Sequence, residues 1–410
     1  MKRLLKFALI LIGAVSCSRA IPVTFQDEAK EQALPPARIT ETIRYDDSNC
    51  TAYNFEYPSS DPFGKPVTLS GTIVIGDEIT TEKPARGLFL YNHLTIYVNG
   101  ECPSSGELTV QKIMVGSGLI SISADYYGFG VTAGKHQAYG LADTNGQASI
   151  DALIAARTLL ADMGYSWDDV IFNLGYSQGG QVAVAALKIA TEKHPEIHFT
   201  RTFAGGGLYD VSATYRFLVS SGAASLPDTV ISVLLAYNEF YKLGIPLEKM
   251  FREPLLGHID QWFLSKDYNA LELRELLGTT NLGDLVTPDL LDIDSDISKK
   301  FFQAMDRERL CRGWAPWLNE KISLVHNKAD DVVPVVNTEN LLRFLENHGL
   351  TVDARVENFR QIPGVLAPHF WGAAPFFTDS VSKISSALGI GLWIDLSSVL
   401  QLLRDYLPED

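Results

Sequence analysis

Two kinds of hydrophobic pattern follow one another along the chain. Ile39-Thr40-Glu41-Thr42-Ile43 alternates apolar and polar positions, and residues 51–57 follow in a β-like stretch. After the turn chemistry of Asp61-Pro62-Phe63-Gly64-Lys65, residues 67–75 alternate again. Period two across a Pro/Gly turn predicts an antiparallel entrance to a sheet. From Gly87 the character changes. Residues 87–91, 119–124 and 170–174 are short, largely apolar runs, as expected of strands buried on both faces. Between Asp143 and Met163, Ile150, Leu153, Ile154, Ala156, Leu159 and Leu160 recur at helical spacing, and residues 182–190 read as another helix. This alternation predicts an α/β fold on a mostly parallel sheet.

Beyond Phe203 the alternation lapses. Residues 208–318 carry amphipathic helical segments, such as 230–243 and 271–277, and acidic turns such as 292–296. They are expected to form a helical cap inserted into a core made of 38–207 and 319–410. The sheet resumes at Ile322-Ser323-Leu324-Val325-His326, followed by a helix over 338–348, a stop at Gly349 and a last strand over 352–356.

Composition narrows the classes. The chain has 410 residues, a formal net charge of −15 and 46% hydrophobic residues, enough for a large core. No basic stripe stands out to neutralise phosphates, so a nucleic-acid partner is not expected. At the N-terminus, Met1-Lys2-Arg3 and Lys6 precede an apolar run over 7–15 that is too short to span a bilayer. Residues 1–20 therefore read as an export signal, with 21–37 as a tether. Ala14-Val15-Ser16-Cys17 resembles a lipobox that would lipidate Cys17 and anchor the chain to a membrane, whereas Ser18-Arg19-Ala20 offers cleavage ahead of Ile21. The expected place is the outer membrane or cell surface in the first case, and the periplasm or medium in the second. Export leaves Cys50, Cys102 and Cys311. Cys102 follows one core strand and Cys311 precedes another, so these two are the expected disulfide, against the alternative of three unpaired thiols.

The chemistry concentrates in Gly175-Tyr176-Ser177-Gln178-Gly179, a G-x-S-x-G between a strand and a helix. A serine on so sharp a turn needs minimal neighbours, which Gly175 and Gly179 supply, and the following helix aims its first amides at the site. Ser177 is thus the candidate nucleophile and the Gln178 amide a candidate oxyanion donor. A hydroxyl needs a base, and the base needs an orienting carboxylate. Asp330-Asp331-Val332-Val333-Pro334 follows a late strand, and Asp330 is the expected acid with Asp331 the alternative. Of the histidines later in the chain, His348 ends a helix, and His369 lies in the loop Pro368-His369-Phe370-Trp371-Gly372, which makes it the expected base. The other histidines are expected to be surface or structural. After the strand ending at Tyr91, the amides of Leu94 or Thr95 are the candidate second oxyanion donor. The reaction needs no metal or cofactor.

These motifs, with Ser70-Gly71-Thr72, Asp125-Tyr126-Tyr127-Gly128-Phe129-Gly130, Gly207-Leu208-Tyr209-Asp210, Trp314-Ala315-Pro316 and Gly372-Ala373-Ala374-Pro375, resemble the secretory lipase family of α/β-hydrolases from residue 38 to about residue 379. The resemblance implies a carboxylic ester hydrolase whose helical lid lies between the sixth and seventh core strands. It departs at Leu94, where relatives often carry glycine, and leucine is expected to reshape that loop. Phe217, Leu234, Leu235, Tyr237, Phe240, Tyr241, Trp262 and Phe263 of the cap would suit an acyl chain or would pack the cap itself. The expected partner is a small-molecule, lipid or glycan ester. Lipase or broad esterase leads; a carbohydrate or feruloyl esterase, a serine peptidase and a non-catalytic surface lipoprotein are the alternatives.

Overall fold

The computed structural model describes residues 34–106, 108–362, 364–365, 367–391, 394 and 399–400. The export signal over 1–20 with Cys17, most of the tether and the last ten residues of the core lie outside the described residues.

The antiparallel entrance consists of β1 (Arg38–Tyr45), β2 (Cys50–Ser60) and β3 (Pro66–Gly76). The two-sided apolar runs become β4 (Leu88–Asn92), β5 (Ile120–Ala124) and β6 (Ile171–Tyr176), which are buried at every position. Helices α1 (Thr109–Val115), α2 (Ala142–Asp162) and α3 (Gln178–Lys193) make the crossovers, leading to β7 (Arg201–Gly205). Next come α4 (Val211–Ser221), α5 (Pro227–Phe240), α6 (Ala270–Leu277), α7 (Leu282–Leu285) and α8 (Asp296–Met305). Then follow β8 (Ile322–Asn327), α9 (Val336–Asn347), β9 (Asp353–Glu357), α10 (Pro368–Trp371) and α11 (Ala373–Leu388). The nine strands form one sheet in the order β1-β2-β3-β5-β4-β6-β7-β8-β9, parallel from β5 to β9.

The helical insertion follows β7. In a count that includes the edge strand β1 it lies between the seventh and eighth strands; without β1 it lies between the sixth and seventh. Its helices are locally encoded. Asp210 caps α4 by accepting from the Ala213 amide at 3.1 Å, and Pro227 opens α5. The acidic stretch 292–296 is not only a turn. Ser295 accepts from the Ser298 amide at 3.0 Å and starts α8 at Asp296.

Two polar networks fix the sheet where it carries the site. Buried Asn92, at the end of β4, donates to Asn173 Oδ1 at 2.8 Å and accepts from Ser149 at 2.5 Å, joining β4, β6 and α2. Buried Asp125 accepts from Ser70 Oγ at 2.6 Å and from the Ser104 amide and hydroxyl at 2.9 and 2.6 Å. The Ser-Gly-Thr and Asp-Tyr-Tyr-Gly motifs therefore meet in one place, where they satisfy a buried carboxylate and hold the long loop after β4.

The expected Cys102–Cys311 disulfide is absent: Cys50, Cys102 and Cys311 are free thiols. Cys102 packs with Ile96 and Phe129 beyond β4, whereas Cys311 lies 3.6 Å from Asp210 Oδ2 beside the exit from β7. Nearness to core strands was a poor guide, because β6 and β7 separate β4 from β8 in the sheet. Three strand spacings amount to about 14 Å, twice what a disulfide can bridge. Burial pushes the Cys102 thiol up to about 12 and raises Cys311 as well, so both stay protonated.

Candidate active site

The carboxyl ends of the parallel strands bring the chemistry together, where open α/β sheets place their ligands. Ser177 follows β6 directly and has φ 56° and ψ −122°, a conformation that a residue with a Cβ adopts only under constraint. The constraint comes from the two glycines. A Cβ on Gly175 would sit 2.0 Å from the Gly179 carbonyl oxygen, and one on Gly179 would sit 2.1 Å from the Asn92 carbonyl oxygen. No larger residue fits so tight a strand–turn–helix, and the Ser177 amide is itself held by Gly205 O at 2.8 Å.

His369 and Asp330 complete a hydrogen-bonded chain. His369 Nε2 is 2.8 Å from Ser177 Oγ, and its Nδ1 is 2.7 Å from Asp330 Oδ2. Since an ionised carboxylate only accepts, Nδ1 carries the proton and Nε2 is left to accept from the serine. His369 lies in the short helix α10 rather than in a loop. That helix is fastened by the Tyr176 hydroxyl, which donates to the His369 carbonyl at 2.5 Å, and by Asn327 Nδ2, which donates to the Pro368 carbonyl at 2.7 Å.

The two neighbouring aspartates have different surroundings. Asp330 is buried, and its Oδ1 accepts the Val332 and Val333 amides at 3.0 and 2.9 Å. Burial alone would raise its pKa. The imidazoles of His369 and His326 outweigh that and hold it well below the ordinary carboxylate value. Asp331 points away, accepting from Ser225 in the cap at 3.0 Å, and burial pushes its carboxyl up. Only Asp330 reaches His369. Its second imidazole neighbour, His326 Nε2 at 3.3 Å, escaped the sequence reading. A histidine inside the fully buried strand β8, four residues before the acid, was the available signal.

Leu94 and Thr95 line a cavity of about 260 Å³ together with Ser177, Asp228, Thr229 and Phe370. Leu94 is not among the described residues with a positive φ, so its loop needs no conformation reserved for glycine. The preceding His93 stacks on Tyr126 at 4.0 Å, and burial pushes its imidazole below the ordinary value. It is a wall of the loop. Gln178 opens α3, where first-turn amides lack partners inside the helix.

A larger cavity of about 630 Å³ also opens on Ser177, and the cap gives it an apolar wall of Val211, Leu218, Val230, Val233, Leu234 and Met305. Of the cap residues named from the sequence, only Leu234 faces this cavity; Leu235, Tyr237, Phe240 and Trp262 belong to the main core, and Phe217, Tyr241 and Phe263 pack against it half-buried. Among the described residues, no group of three or more His, Cys, Asp or Glu is arranged to hold a metal ion, and no helix is long and apolar enough to cross a membrane.

Residues 105–353 match the family model of the secretory lipases. The chain belongs to the secretory lipase family. It is therefore a lipase/esterase-family hydrolase. No curated protein matches it in sequence. In three dimensions this family member is similar to the rice cell wall degrading esterase LipA from Xanthomonas oryzae, with 19% identity over 92% of this chain and 98% of that one and a TM-score of 0.65. It is also similar to Candida antarctica lipase A in its closed state, with 13% identity over 90% of this chain and 89% of that one and a TM-score of 0.63. At these identities the likeness speaks for the α/β-hydrolase fold alone.

Proposed function

We propose that the protein is an exported serine carboxylic ester hydrolase that works through an acyl-enzyme on Ser177. The observation that carries this reading is the unbroken chain Ser177–His369–Asp330, with a strained serine at one end and a buried carboxylate at the other. Ser177 Oγ attacks the ester carbonyl while His369 Nε2 takes its proton. Asp330 keeps the imidazole in the tautomer that can accept and supports the imidazolium that forms. The amides of Gln178 and of Leu94 or Thr95 receive the oxyanion. His369 then returns the proton to the departing alcohol, and water, activated by the same imidazole, releases the acid.

The acyl chain lies in the larger cavity, whose cap wall is mostly aliphatic, with Thr214, Tyr215 and Thr229 among its members. Burying each further methylene contributes about 0.8 kcal/mol, roughly fourfold in kcat/KM. A series of nitrophenyl esters should therefore climb from acetyl to longer chains until the cavity is filled. A second reading is a carbohydrate ester hydrolase. It draws on the likeness to the cell wall degrading esterase and on Thr95, Asp228 and Thr229 in the smaller cavity. A flat or falling acyl series, with good turnover of acetylated xylan or a feruloyl ester, selects that reading instead.

Export rests on the leader sequence and on family membership. Palmitate incorporated by the full chain and lost in Cys17→Ser marks lipidation and membrane anchoring. A mature protein beginning at Ile21, without palmitate, marks release by the other route.

A further inference from the structure

Two imidazoles converge on one carboxylate oxygen. Asp330 Oδ2 lies 2.7 Å from His369 Nδ1 and 3.3 Å from His326 Nε2. His326 is fully buried near the end of β8, and its ring is fixed on both sides. Its Nε2 is 2.8 Å from the Val333 carbonyl, and its Nδ1 is 2.6 Å from Thr338 Oγ1 on α9. A carbonyl oxygen only accepts, so Nε2 carries a proton that it shares between Val333 O and Asp330 Oδ2, while the Thr338 hydroxyl donates to Nδ1.

We propose that His326 is a positioning residue for the reaction at Ser177: a second imidazole donor that, oriented by Thr338, holds the Asp330 carboxylate in line with His369. The proposal rests on the triad reading above. Oδ1 is tied to the Val332 and Val333 amides and Oδ2 to His369 Nδ1, so His326 gives Oδ2 a donor that is independent of the base itself. Removing that donor has two consequences. The carboxylate gains freedom to turn in a buried site, which loosens the His369 ring. It also directs more of its negative charge at His369 and so favours the protonated imidazole, which cannot act as a base. The other titratable groups around this cluster are Asp331, turned towards Ser225, and Tyr176, whose hydroxyl is engaged by the His369 carbonyl. Thr338 from α9 and Val356, the β9 partner of His326, bring no charge.

The test is His326→Leu beside His326→Gln, which restores a donor and an acceptor on a chain of similar reach. Leucine should lower kcat on the order of tenfold to a hundredfold, the size of one lost hydrogen bond to a charged group, with KM little changed. The acid limb of its kcat/KM profile should move to higher pH. Glutamine should recover most of the turnover. Thr338→Val, which only releases the His326 ring, should shift the limb in the same direction by less. A folded His326→Leu with wild-type kcat and an unmoved acid limb overturns the proposal, as does a loss that glutamine does not repair. If the leucine variant does not fold, Thr338→Val decides: a shifted limb supports the proposal and a wild-type profile overturns it. Fluorophosphonate titration of Ser177 separates the two readings. A wild type that does not label there removes the triad itself, whereas normal labelling with indifferent His326 and Thr338 variants removes only this proposal.

Discussion

The cavity beside Ser177 has two walls that are specified in different ways. The sheet wall is held atom by atom: Ser177 on its strained turn, Gly179 against the Asn92 carbonyl, Asp330 with acceptor bonds at both oxygens. The cap wall is held mainly by volume and apolarity, through side chains such as Val211, Val233 and Met305, and by hydrogen bonds only at Thr214, Tyr215 and Thr229. The cap is tied to the core by separate polar contacts, including Ser225 on Asp331 and the Lys266 ammonium on the carbonyls of Gly128, Ala133 and Lys135. A one-atom change should therefore be severe on the first wall and graded on the second, where the substrate profile moves before the chemistry does.

The largest contrast should come from the paired aspartates. Asp330→Asn strands His369 in the wrong tautomer and should cost on the order of ten-thousand-fold in kcat. Asp331→Asn should cost no more than a few-fold. Steady-state kinetics on one nitrophenyl ester compares them, and a crippled Asp331→Asn with a mild Asp330→Asn reverses the assignment. The pH dependence of stability follows with a definite sign. Asp330 is held low in the folded state, so its contribution is complete above the ordinary carboxylate value of about 4 and is lost as pH falls below it. Acid unfolding of Asp330→Asn should lack that component.

Next comes backbone crowding. Gly179→Ala pushes a methyl into the Asn92 carbonyl and should destabilise the fold by about 1–3 kcal/mol in denaturant titration. An unchanged midpoint would show the turn to be looser than its geometry implies. On the cap wall, Val233→Phe should leave acetyl ester turnover within about threefold while cutting the longest acyl esters on the order of tenfold. Equal losses across the series would mean that this wall also governs the chemistry. The smallest effect belongs to Ser225→Ala. Losing its bond to Asp331 should cost about 1 kcal/mol, read as a lower thermal midpoint with kcat nearly intact.

The same difference between the walls explains what could be read from the chain. Strands β4, β5 and β6 announced themselves as apolar runs because both faces are buried. The elbow was legible because its glycines, strand and helix are consecutive in sequence. The order of Ser177, Asp330 and His369 followed from where strands end. The cap lining was not legible, because Leu234 and Leu235 are adjacent and equally apolar, yet only the first faces Ser177. That choice depends on how α4, α5 and α8 pack against one another, which no local pattern encodes. Helix α11 went unread although Phe376, Phe377, Val381 and Ile384 are buried at helical spacing. The paired cysteines failed for a related reason: distance in the sheet follows strand order, not distance along the chain.

Everything in the account depends on Ser177 being the nucleophile. Its direct measurement is to treat the full chain with a fluorophosphonate, digest it, and locate the added mass by tandem mass spectrometry. The account predicts one modified peptide, carrying the adduct on Ser177, with ester hydrolysis falling in step with labelling and both abolished in a folded Ser177→Ala. An adduct on any other residue, or hydrolysis that persists in Ser177→Ala, would contradict it.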